Sequence, residues 1–378
     1  MRLPTPPPPT SLWQRAYGAA HRLRGRWWTE RAGRLPRPVV SIGNLHFGGS
    51  GKTPLTAALA AHFRDQGRRV CILSRGYASQ GRGVRIVSDG GGPLLPPHLA
   101  GDEPVLLAAE LPGVAVVVGP DRLYAGLQAL RRLAPPPDLF LLDDGFSHLA
   151  LRRDLDLLAF PAADPFAGGK LLPGGRLREP LSASARADAV LLTGSSGPLG
   201  HGAELAQALR PYGFVGPGFA SRTLPGAPRF PDGRILPPGA RVFLVSAIAR
   251  PGSFAETART LGYEIRGELR FGDHFAYPDA SLAKIQKAFA ESGAQAVLAT
   301  TKDGVKLRGR LAAPLAELPV RAEPEPAFWP WLDEALAGIE SRKRSLGTSS
   351  PGDLEEGDLE EGDPENRDPQ DGGPEGQE

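Results

Sequence analysis

The sequence predicts an α/β protein with two domains, the larger built on a largely parallel sheet and the smaller on a second set of strands and helices. Three observations predict this class. Short runs rich in Val, Ile and Leu alternate with helical stretches, the runs lack strict polar alternation, and a glycine-rich loop joins the first run to a helix. Strands buried on both faces are typical of parallel sheets covered by helices.

The N-terminal segment, residues 1–30, is proline-rich over residues 1–10 and then becomes amphipathic. On a helical wheel, one face carries Trp13, Ala16, Tyr17, Ala20, Leu23 and Trp27, and the opposite face carries Arg15, Arg22 and Arg26. A basic helix with aromatic residues at its apolar border is typical of a membrane-interfacial anchor. A helix that packs on the body of the protein would show a similar pattern, so both interpretations stay open.

The larger domain, predicted over residues 36–210, begins with the strand "VVSIG" and a glycine-rich loop. The loop and the following helix start contain Gly48, Gly49, Ser50, Gly51, Lys52 and Thr53. Glycines let several amide groups point into one concavity, and a helix N-terminus favours phosphate there. Lys52 would reach the outer phosphates and Thr53 a magnesium ion, which predicts a P-loop, as in P-loop NTPases. His46 replaces the first glycine of the common motif, and an ordinary glycine-rich turn is the alternative.

Two adjacent aspartates end the clean apolar run "PDLFLLDD". Strand C-termini beside a P-loop are where α/β nucleotide-binding proteins carry the acidic group that holds magnesium. Asp143 and Asp144 are therefore predicted to form a Walker-B type pair, and a solvated pair in a loop is the alternative.

A second carboxylate pair lies in "GDEPVLLAAEL". Asp102 could be a helix N-cap, with Glu103 and Pro104 in the first turn. The functional alternative is a pair near the phosphates, in which one carboxylate acts as a base and the other helps the metal. The residues leave both interpretations open.

Arginines and one histidine occupy further turns. Arg122 lies in "GPDRLY", and Arg176 and Arg178 lie in "LLPGGRLREPL". Arginine is suited to binding phosphate bidentately, with surface salt bridges as the alternative. His274 in "RFGDHFAYPD" follows a strand, although a lone loop histidine is more often structural than catalytic. In "LATTKDGVKL" the aspartate stands one position too early for guanine recognition, which disfavours a GTPase.

The smaller domain is predicted over residues 215–342, after a Gly- and Pro-rich stretch. Its apolar runs are "RVFLVS", "YEIRGELRF", "AQAVLATT" and "LPVRAEP", and the helix-like "AFWPWLDEALAGIESRKR" closes the ordered part. Residues 343–378 are predicted to be a disordered acidic tail, because a low content of apolar residues cannot sustain a core.

Charge is unevenly distributed along the chain. Residues 352–378 carry twelve acidic residues and one arginine, so the rest has a net charge of +13 against +2 for the whole chain. A basic body suits an anionic partner such as a nucleotide, a phospholipid surface or a phosphorylated substrate. The lone Cys71 excludes an internal disulfide and favours a reducing compartment. We find no transmembrane or secretory pattern and expect the protein in the cytosol or on a membrane facing it.

An ordered set of motifs carries a family resemblance. "GNLHFGGSGKTP", "SRGY", "GDEP", "GPDR", "DDGFSH", "LPGGRLREPL", "FGDHFAY" and "TTKDGVK" follow one another over residues 43–306. Together they resemble the tetraacyldisaccharide 4'-kinases, also called lipid A 4'-kinases. That family has a two-domain α/β architecture with the active site in the cleft between the domains and an N-terminal membrane-associating helix. It also lacks the first Walker glycine, which agrees with His46.

The resemblance implies roles for individual residues. Asp102 is the base toward the sugar hydroxyl and pairs with His274. Lys52 holds phosphate, and Asp143 supports the site. Magnesium lies near Thr53, Glu103 and Asp144. The substrate is contacted by Arg122, Arg178, Asn44 and Tyr77. Ser147 stands where the family motif has glutamine, so no contact is carried over to that side chain.

The resemblance also implies a reaction and a location. The reaction is transfer of the γ-phosphoryl group of ATP, with Mg²⁺, to the 4'-hydroxyl of the lipid A disaccharide 1-phosphate precursor. The protein would sit peripherally on the cytoplasmic face of the inner membrane, against an anionic surface and without a nucleic-acid partner. Two alternatives are a P-loop ATPase that drives a partner protein and a soluble P-loop kinase of another metabolite.

Overall fold

The computed structural model describes residues 18, 27, 31–77, 79–195 and 201–345, which form two sheets with flanking helices. The strands are β1 (Val39–Gly43), β2 (Val70–Ser74), β3 (Arg85–Ser88), β4 (Ala115–Val118), β5 (Leu139–Asp143), β6 (Leu155–Pro161), β7 (Ala189–Thr193), β8 (Gly218–Pro225), β9 (Arg241–Ser246), β10 (Glu264–Arg270), β11 (Ala296–Thr300), β12 (Leu315–Leu318) and β13 (Val320–Pro324). The helices are α1 (Lys52–Asp65), α2 (Pro97–Ala100), α3 (Asp102–Glu110), α4 (Arg122–Arg132), α5 (His201–Leu209), α6 (Pro251–Thr260), α7 (Asp279–Ser292), α8 (Thr301–Leu307) and α9 (Phe328–Ser345).

The larger sheet has nine strands in the order β13-β8-β7-β6-β1-β5-β2-β4-β3. Only its two edge strands are antiparallel: β3 pairs with β4, and β13 pairs with β8. All five residues of β1, β2 and β5 are buried, so both faces of the sheet centre are covered. This burial explains the continuous apolar runs and confirms the largely parallel α/β class.

The two faces of this sheet have separate cores. Val40 and Ile42 of β1 point into the core beneath α1, α3 and α9, whereas Val39 points into the core beneath α4. In α1 the apolar side chains Leu55, Leu59 and Phe63 recur every four residues and are fully buried. The P-loop helix is thereby held firmly on the strands whose ends carry the candidate site.

The smaller sheet has four parallel strands in the order β10-β9-β11-β12. Its central strands β9 and β11 are almost wholly buried, with α6 on one face and α7 on the other. The second α/β unit predicted from the sequence is therefore present.

The last strand and helix are predicted to belong to the smaller domain, but they pack with the larger sheet. The run "LPVRAEP" forms β13, which pairs with β8 in the larger sheet and not with the smaller one. The helix α9 then buries Phe328, Leu332, Leu336 and Ile339 in the core of the larger sheet. The predicted range 215–342 thus combines elements of both sheets, because the chain leaves the larger sheet after β8 and returns at β13.

The predicted N-terminal helix and the predicted C-terminal tail lie only partly within the described residues. Residues 343–345, predicted as the start of the tail, are still helical, and Lys343 Nζ lies 2.9 Å from Asp154 Oδ2. The remainder of the acidic tail, residues 346–378, lies outside the described part, as does most of the predicted interfacial helix. Of that helix, Gly18 and Trp27 are described, both helical. Among the described residues, no helix is long and apolar enough to cross a bilayer.

Candidate active site

The glycine-rich loop connects β1 to α1 and has the backbone that the sequence predicts. Gly48 and Gly51 have φ angles of 103° and 72°, a region that other residues rarely adopt. The buried Ser50 accepts a hydrogen bond at its Oγ from Asn44 Nδ2 (2.7 Å), and its carbonyl accepts one from Thr193 Oγ1 (2.6 Å). These bonds fix the loop immediately before Lys52 and Thr53, which begin α1.

His46, at the position of the missing glycine, is buried with 1% of its surface exposed. Its ring packs edge-on against Phe160, with 5.8 Å between centroids, and its backbone bridges to Leu177. Burial lowers the pKa of His46 to about 4. The side chain therefore supports the loop from beneath as a neutral group.

This burial makes stability depend on pH. As pH falls, the unfolded chain protonates His46 near its ordinary pKa, whereas the folded protein resists until about pH 4. From about pH 7.5 to about pH 5, the free energy of unfolding should fall by about 2 kcal/mol more in wild type than in His46→Gln. Denaturant unfolding at both pH values measures this difference. An identical pH dependence in the two proteins would contradict it.

Asp144 is the anionic centre below the loop. Its Oδ1 lies 3.4 Å from Lys52 Nζ, and Arg178 contacts both of its oxygens at 3.0 and 3.2 Å. Arg178 also donates to Asn44 Oδ1. Burial alone would raise the pKa of Asp144, but Lys52 and Arg178 hold it at about 2. Asp144 also has a φ of 55°, an uncommon angle that is often seen at functional sites.

Asp143 has a different environment. It is buried at the end of β5 and accepts a hydrogen bond from Thr56 Oγ1 at 3.1 Å. Burial, together with the negative charges of Glu103 and Asp144, raises the pKa of Asp143 to about 7. The two adjacent aspartates thus differ in pKa because Lys52 and Arg178 contact Asp144 directly, whereas Asp143 is buried and bonds to Thr56.

The contacts of Arg178 predict that even a conservative replacement of this residue lowers activity. Lysine is a point charge and cannot span both oxygens of Asp144 while also reaching Asn44. Arg178→Lys should therefore lower kcat/KM for the reaction at this site by about tenfold. Arg234→Lys is the matched control, because Arg234 is 74% exposed and pairs with Asp232 away from the loop. Equal rates in the two variants would contradict this prediction.

Arg122 begins α4 and is nearly buried. Its Nη1 donates to the Pro120 carbonyl at 2.8 Å and lies 3.5 Å from His148 Nδ1. Burial, with Arg75 adding to it, lowers the pKa of Arg122 to about 10. The negative charges of Asp144, Asp121 and Asp143 also act on this arginine, so it belongs to the same electrostatic cluster.

The second carboxylate pair begins α3. Gly101 is the N-cap residue and no side chain caps this helix, so the capping interpretation of Asp102 is not supported. Instead, Asp102 Oδ2 accepts a hydrogen bond from Lys306 Nζ at 2.8 Å, and Glu103 Oε1 accepts one from Lys302 Nζ at 3.2 Å. Both lysines lie on α8 of the smaller unit, so the pair faces the cleft between the two sheets.

His274 lies beside Asp102, as the resemblance implies, but does not bond to it directly. Its Nδ1 is 3.6 Å from Asp102 Oδ2, and its Nε2 is 3.1 Å from Lys302 Nζ. Because an ammonium can only donate, Nε2 accepts and a neutral ring carries its proton on Nδ1, toward Asp102. Burial alone would raise the pKa of Asp102, but His274 and Lys306 lower it. Tyr77, 61% exposed, packs edge-on to His274 with 5.3 Å between centroids.

Ser147 makes its own contact where the family motif has glutamine. Its Oγ donates to Glu179 Oε1 at 2.5 Å, and Arg186 Nη2 donates to the other oxygen at 2.8 Å. Glu179 is buried next to Arg178, so this network supports the loop that carries the arginine.

The structure thus brings the predicted residues into two neighbouring groups. One comprises the loop, Lys52, Asp143, Asp144, Arg122, Arg178 and Asn44; the other comprises Asp102, Glu103, His274 and Tyr77. The charge of Glu103 acts on Asp143, which indicates that the groups are close. Gly49 of the loop also faces Ala249 of the smaller unit.

Lys302 and Lys306 lie at the site, although the sequence did not single them out. A signal was available, because the chain has seven lysines and two of them lie four residues apart in "TTKDGVK". Residues at that spacing share one face of a helix. Their partners, however, lie about 200 positions away and could not be identified without the fold.

The carboxylates of the site attract cations, as a magnesium site requires. Lys302 forms an ion pair with Glu103, and Lys52 forms one with Asp144, so each carboxylate is already paired with an ammonium group. Mg²⁺ in phosphate-transferring proteins is usually held by one or two carboxylates plus substrate phosphates. In the described residues no group of three or more His, Cys, Asp or Glu could hold a metal by itself. The donor set therefore fits a metal that is bound together with phosphates.

A P-loop at the carboxyl ends of a parallel sheet, with a strand-terminal aspartate pair below it, defines the class of P-loop nucleotide-binding α/β proteins. The family model described as tetraacyldisaccharide-1-P 4'-kinase matches residues 8–337, and the chain belongs to this family. The resemblance found in the motifs is thereby confirmed, together with the kinase class and ATP binding.

Individual relatives agree with this assignment. The tetraacyldisaccharide 4'-kinase of Geobacter sulfurreducens is 40% identical over 304 residues, covering 78% of this chain and 83% of the relative. That of Anaeromyxobacter dehalogenans strain 2CP-C is 42% identical over 315 residues, covering 81% and 82%. The crystal structure of the "apo" form of LpxK from Aquifex aeolicus in complex with ATP is 32% identical, with a TM-score of 0.68 over 88% of this chain and 97% of that chain.

Proposed function

We propose that this protein transfers the γ-phosphoryl group of ATP to the 4'-hydroxyl of a tetraacyldisaccharide 1-phosphate, a precursor of lipid A. The observation that carries the proposal is the meeting of a P-loop with a carboxylate pair, Asp102 and Glu103, that the cations of a second unit hold in the cleft. A P-loop alone would serve any nucleotide reaction. A carboxylate facing that cleft adds a group that can accept a proton from an alcohol.

The loop is proposed to bind the ATP phosphates. Backbone amides of Gly48, Gly49, Ser50 and Gly51 would surround the terminal phosphates, where the positive end of α1 also favours anions. Lys52 would place its ammonium on the transferring group. Phosphoryl transfer proceeds through a loose transition state, so alignment and charge neutralisation supply most of the catalysis.

Asp102 is proposed to be the general base. A sugar hydroxyl is a weak acid, so a carboxylate must accept its proton as the new bond to phosphorus forms. His274, with its proton directed at Asp102, would orient the carboxylate and link it to closure of the cleft. Asp143, buried beneath the loop, would support the site through Thr56.

Thr53, Glu103 and Asp144 are proposed to hold Mg²⁺ together with the ATP phosphates. When bound, the ion would supply positive charge against the phosphate oxygens. If Lys302 moved away from Glu103 and Lys52 moved away from Asp144, the two carboxylates would be available to bind the ion.

Arg122, Arg178 and Tyr77 are proposed to contact the substrates, and the fully buried Asn44 is proposed to act through the loop and Arg178. Arg122 and Arg178 are already close to the anionic cluster and could turn their guanidinium groups toward phosphate. Asn44 would keep the loop and Arg178 in register. Tyr77 is the most exposed of the four and could pack on the sugar.

We further propose that the protein associates peripherally with an anionic surface at the cytoplasmic face of the inner membrane. The acceptor is a lipid, and basic residues near such a surface contribute about 1 kcal/mol each. Removing residues 1–30 should lower the fraction of protein that floats with anionic vesicles by about tenfold or more. Wild-type protein on uncharged vesicles is the control. Unchanged flotation of the truncated protein would refute the proposal that residues 1–30 anchor the protein to the membrane.

The proposed reaction is tested by incubating the protein with γ-labelled ATP and the disaccharide 1-phosphate and then locating the new phosphate. We expect one phosphate at the 4' position for each ATP consumed. ATP turnover that ignores the acceptor would favour the alternative of an ATPase that drives a partner protein. Label on another hydroxyl would assign a different acceptor.

A further inference from the structure

The cation nearest to the proposed base comes from a helix of the smaller unit. Lys306 Nζ lies 2.8 Å from Asp102 Oδ2, whereas His274 Nδ1 lies 3.6 Å from the same oxygen. Both contacts use Oδ2, and among the described residues no hydrogen bond reaches Oδ1. Lys306 and His274 thus occupy Oδ2 and leave Oδ1 available to a further hydrogen-bond donor.

Lys306 is itself held in a fixed position. Its side chain is only 6% exposed, its Nζ lies 3.8 Å from Asp303 Oδ1, and the same Nζ lies 5.4 Å from the centre of the Tyr277 ring. A lysine on a flexible stem normally samples many rotamers. Here a second carboxylate and an aromatic face restrict the ammonium to one place.

Asp303, the other carboxylate that contacts Lys306, is held in place by hydrogen bonds. It is fully buried and accepts hydrogen bonds from the Ala247 amide (3.0 Å), Thr300 Oγ1 (2.7 Å) and Tyr277 Oη (3.0 Å). These donors lie just after β9, at the end of β11 and in the loop before α7. The position of Lys306 is thus determined by the core of the smaller sheet.

The helix that carries Lys306 packs directly on the helix that carries Asp102. Val305 of α8 packs against the apolar core that includes Val105 of α3. Asp102 and Lys306 therefore meet only when the two units are together. A carboxylate that must be oriented to within a fraction of an ångström depends on such support.

We infer that Lys306 is a positioning residue of the general base, in addition to His274: anchored by Asp303 and Tyr277, it holds Asp102 Oδ2 and aims Oδ1 at the acceptor hydroxyl. This inference rests on the proposed function. It makes the smaller unit responsible for orienting the base and not only for covering the nucleotide. Lys306 acts through Asp102 and touches neither ATP nor the acceptor.

The test compares Lys306→Met and Lys306→Arg in the full-length protein, with ATP and the disaccharide 1-phosphate in mixed micelles. We expect Lys306→Met to lower kcat by about 100-fold and to change KM for ATP by less than about threefold, because orientation of the base is lost while the P-loop is untouched. Lys306→Arg should recover part of kcat, since it keeps the charge. The exposed Lys284→Met is the control and should match wild type.

A double-mutant cycle separates positioning from a structural role. If Lys306 acts only through Asp102, then Asp102→Asn with Lys306→Met should be no slower than Asp102→Asn alone. Losses that multiply would overturn the inference, as would wild-type kcat in Lys306→Met or a loss confined to KM for ATP. A loss confined to KM for ATP would indicate that Lys306 only holds the two units together.

Two further outcomes are distinguishable. A wild-type protein without transfer to the acceptor overturns the proposed function and this inference together, whereas an active wild type with an equally active Lys306→Met overturns only the inference. If Lys306→Met and Lys306→Arg do not fold, Tyr277→Phe decides, because it removes one hydrogen bond from Asp303. We then expect kcat to fall about fivefold at unchanged KM for ATP, and wild-type kcat would overturn the inference.

Discussion

Replacing Lys52 by alanine is expected to lower kcat for phosphoryl transfer by about 1,000-fold. The ammonium of Lys52 lies 3.4 Å from Asp144 Oδ1 at the start of α1, where the outer phosphates of ATP are proposed to bind. Alanine removes a positive charge aimed at the group that gains negative charge in the transition state. Losses of about 10² to 10⁵ are typical when such a charge or donor is removed. Single-turnover transfer of labelled phosphate to the disaccharide measures the effect.

The control for this variant is Lys287→Ala. Lys287 lies on the solvent face of α7, is 80% exposed and pairs only weakly with Glu291 at 4.0 Å. It should keep wild-type rates, so a general effect of removing a lysine would be recognised. A Lys52→Ala protein within about tenfold of wild type would contradict the assignment of this loop to phosphate binding.

Replacing Asp102 by asparagine is expected to lower kcat by about 10² to 10⁴, with little change in the affinity for ATP. The amide has the same shape but cannot accept the proton of the sugar hydroxyl. Binding of ATP is proposed to depend mainly on the loop from Gly48 to Thr53, so nucleotide titration should give nearly the wild-type dissociation constant. Steady-state kinetics and the titration together measure the separation of the two effects.

Asp279→Asn is the matched control for the second variant. Asp279 is also the first residue of its helix, but its side chain is 99% exposed and pairs with Arg310 at 3.3 Å. Any loss caused by removing an acidic residue from a helix start would appear there as well. If Asp102→Asn changed only the affinity for ATP, the role of general base would be refuted. Thermal unfolding of each variant checks that the loss of the Lys306 partner has not unfolded the smaller unit.

The local parts of the site could be predicted from the sequence because their residues are neighbours in the chain. The loop from Gly48 to Thr53 requires a strand before it and a helix after it, and all three signals lie within 27 residues, from Val39 to Asp65. The pair Asp143 and Asp144 follows from the position of aspartates after a buried run. In both cases chemistry and secondary structure are encoded in the same short segment.

Contacts between distant parts of the chain could not be predicted from residues alone. The position of β13 beside β8, and the pairing of Lys306 with Asp102, join residues about 100 and 200 positions apart. The residues alone also gave no physical reason to distinguish the two aspartates of the Walker-B type pair. The structure separates them, because burial raises the pKa of Asp143 to about 7, whereas Lys52 and Arg178 hold that of Asp144 at about 2.

By itself, the sequence determined the α/β class, the phosphate-binding loop and the family, since periodicity, glycine placement and motif order are properties of short segments. Tertiary structure alone decided which charges meet across the cleft and which oxygen of Asp102 binds Lys306. The physical reason is that hydrogen bonds and burial act over a few ångströms in space. Such distances are set by how α8 packs on α3, and spacing along the chain does not encode them.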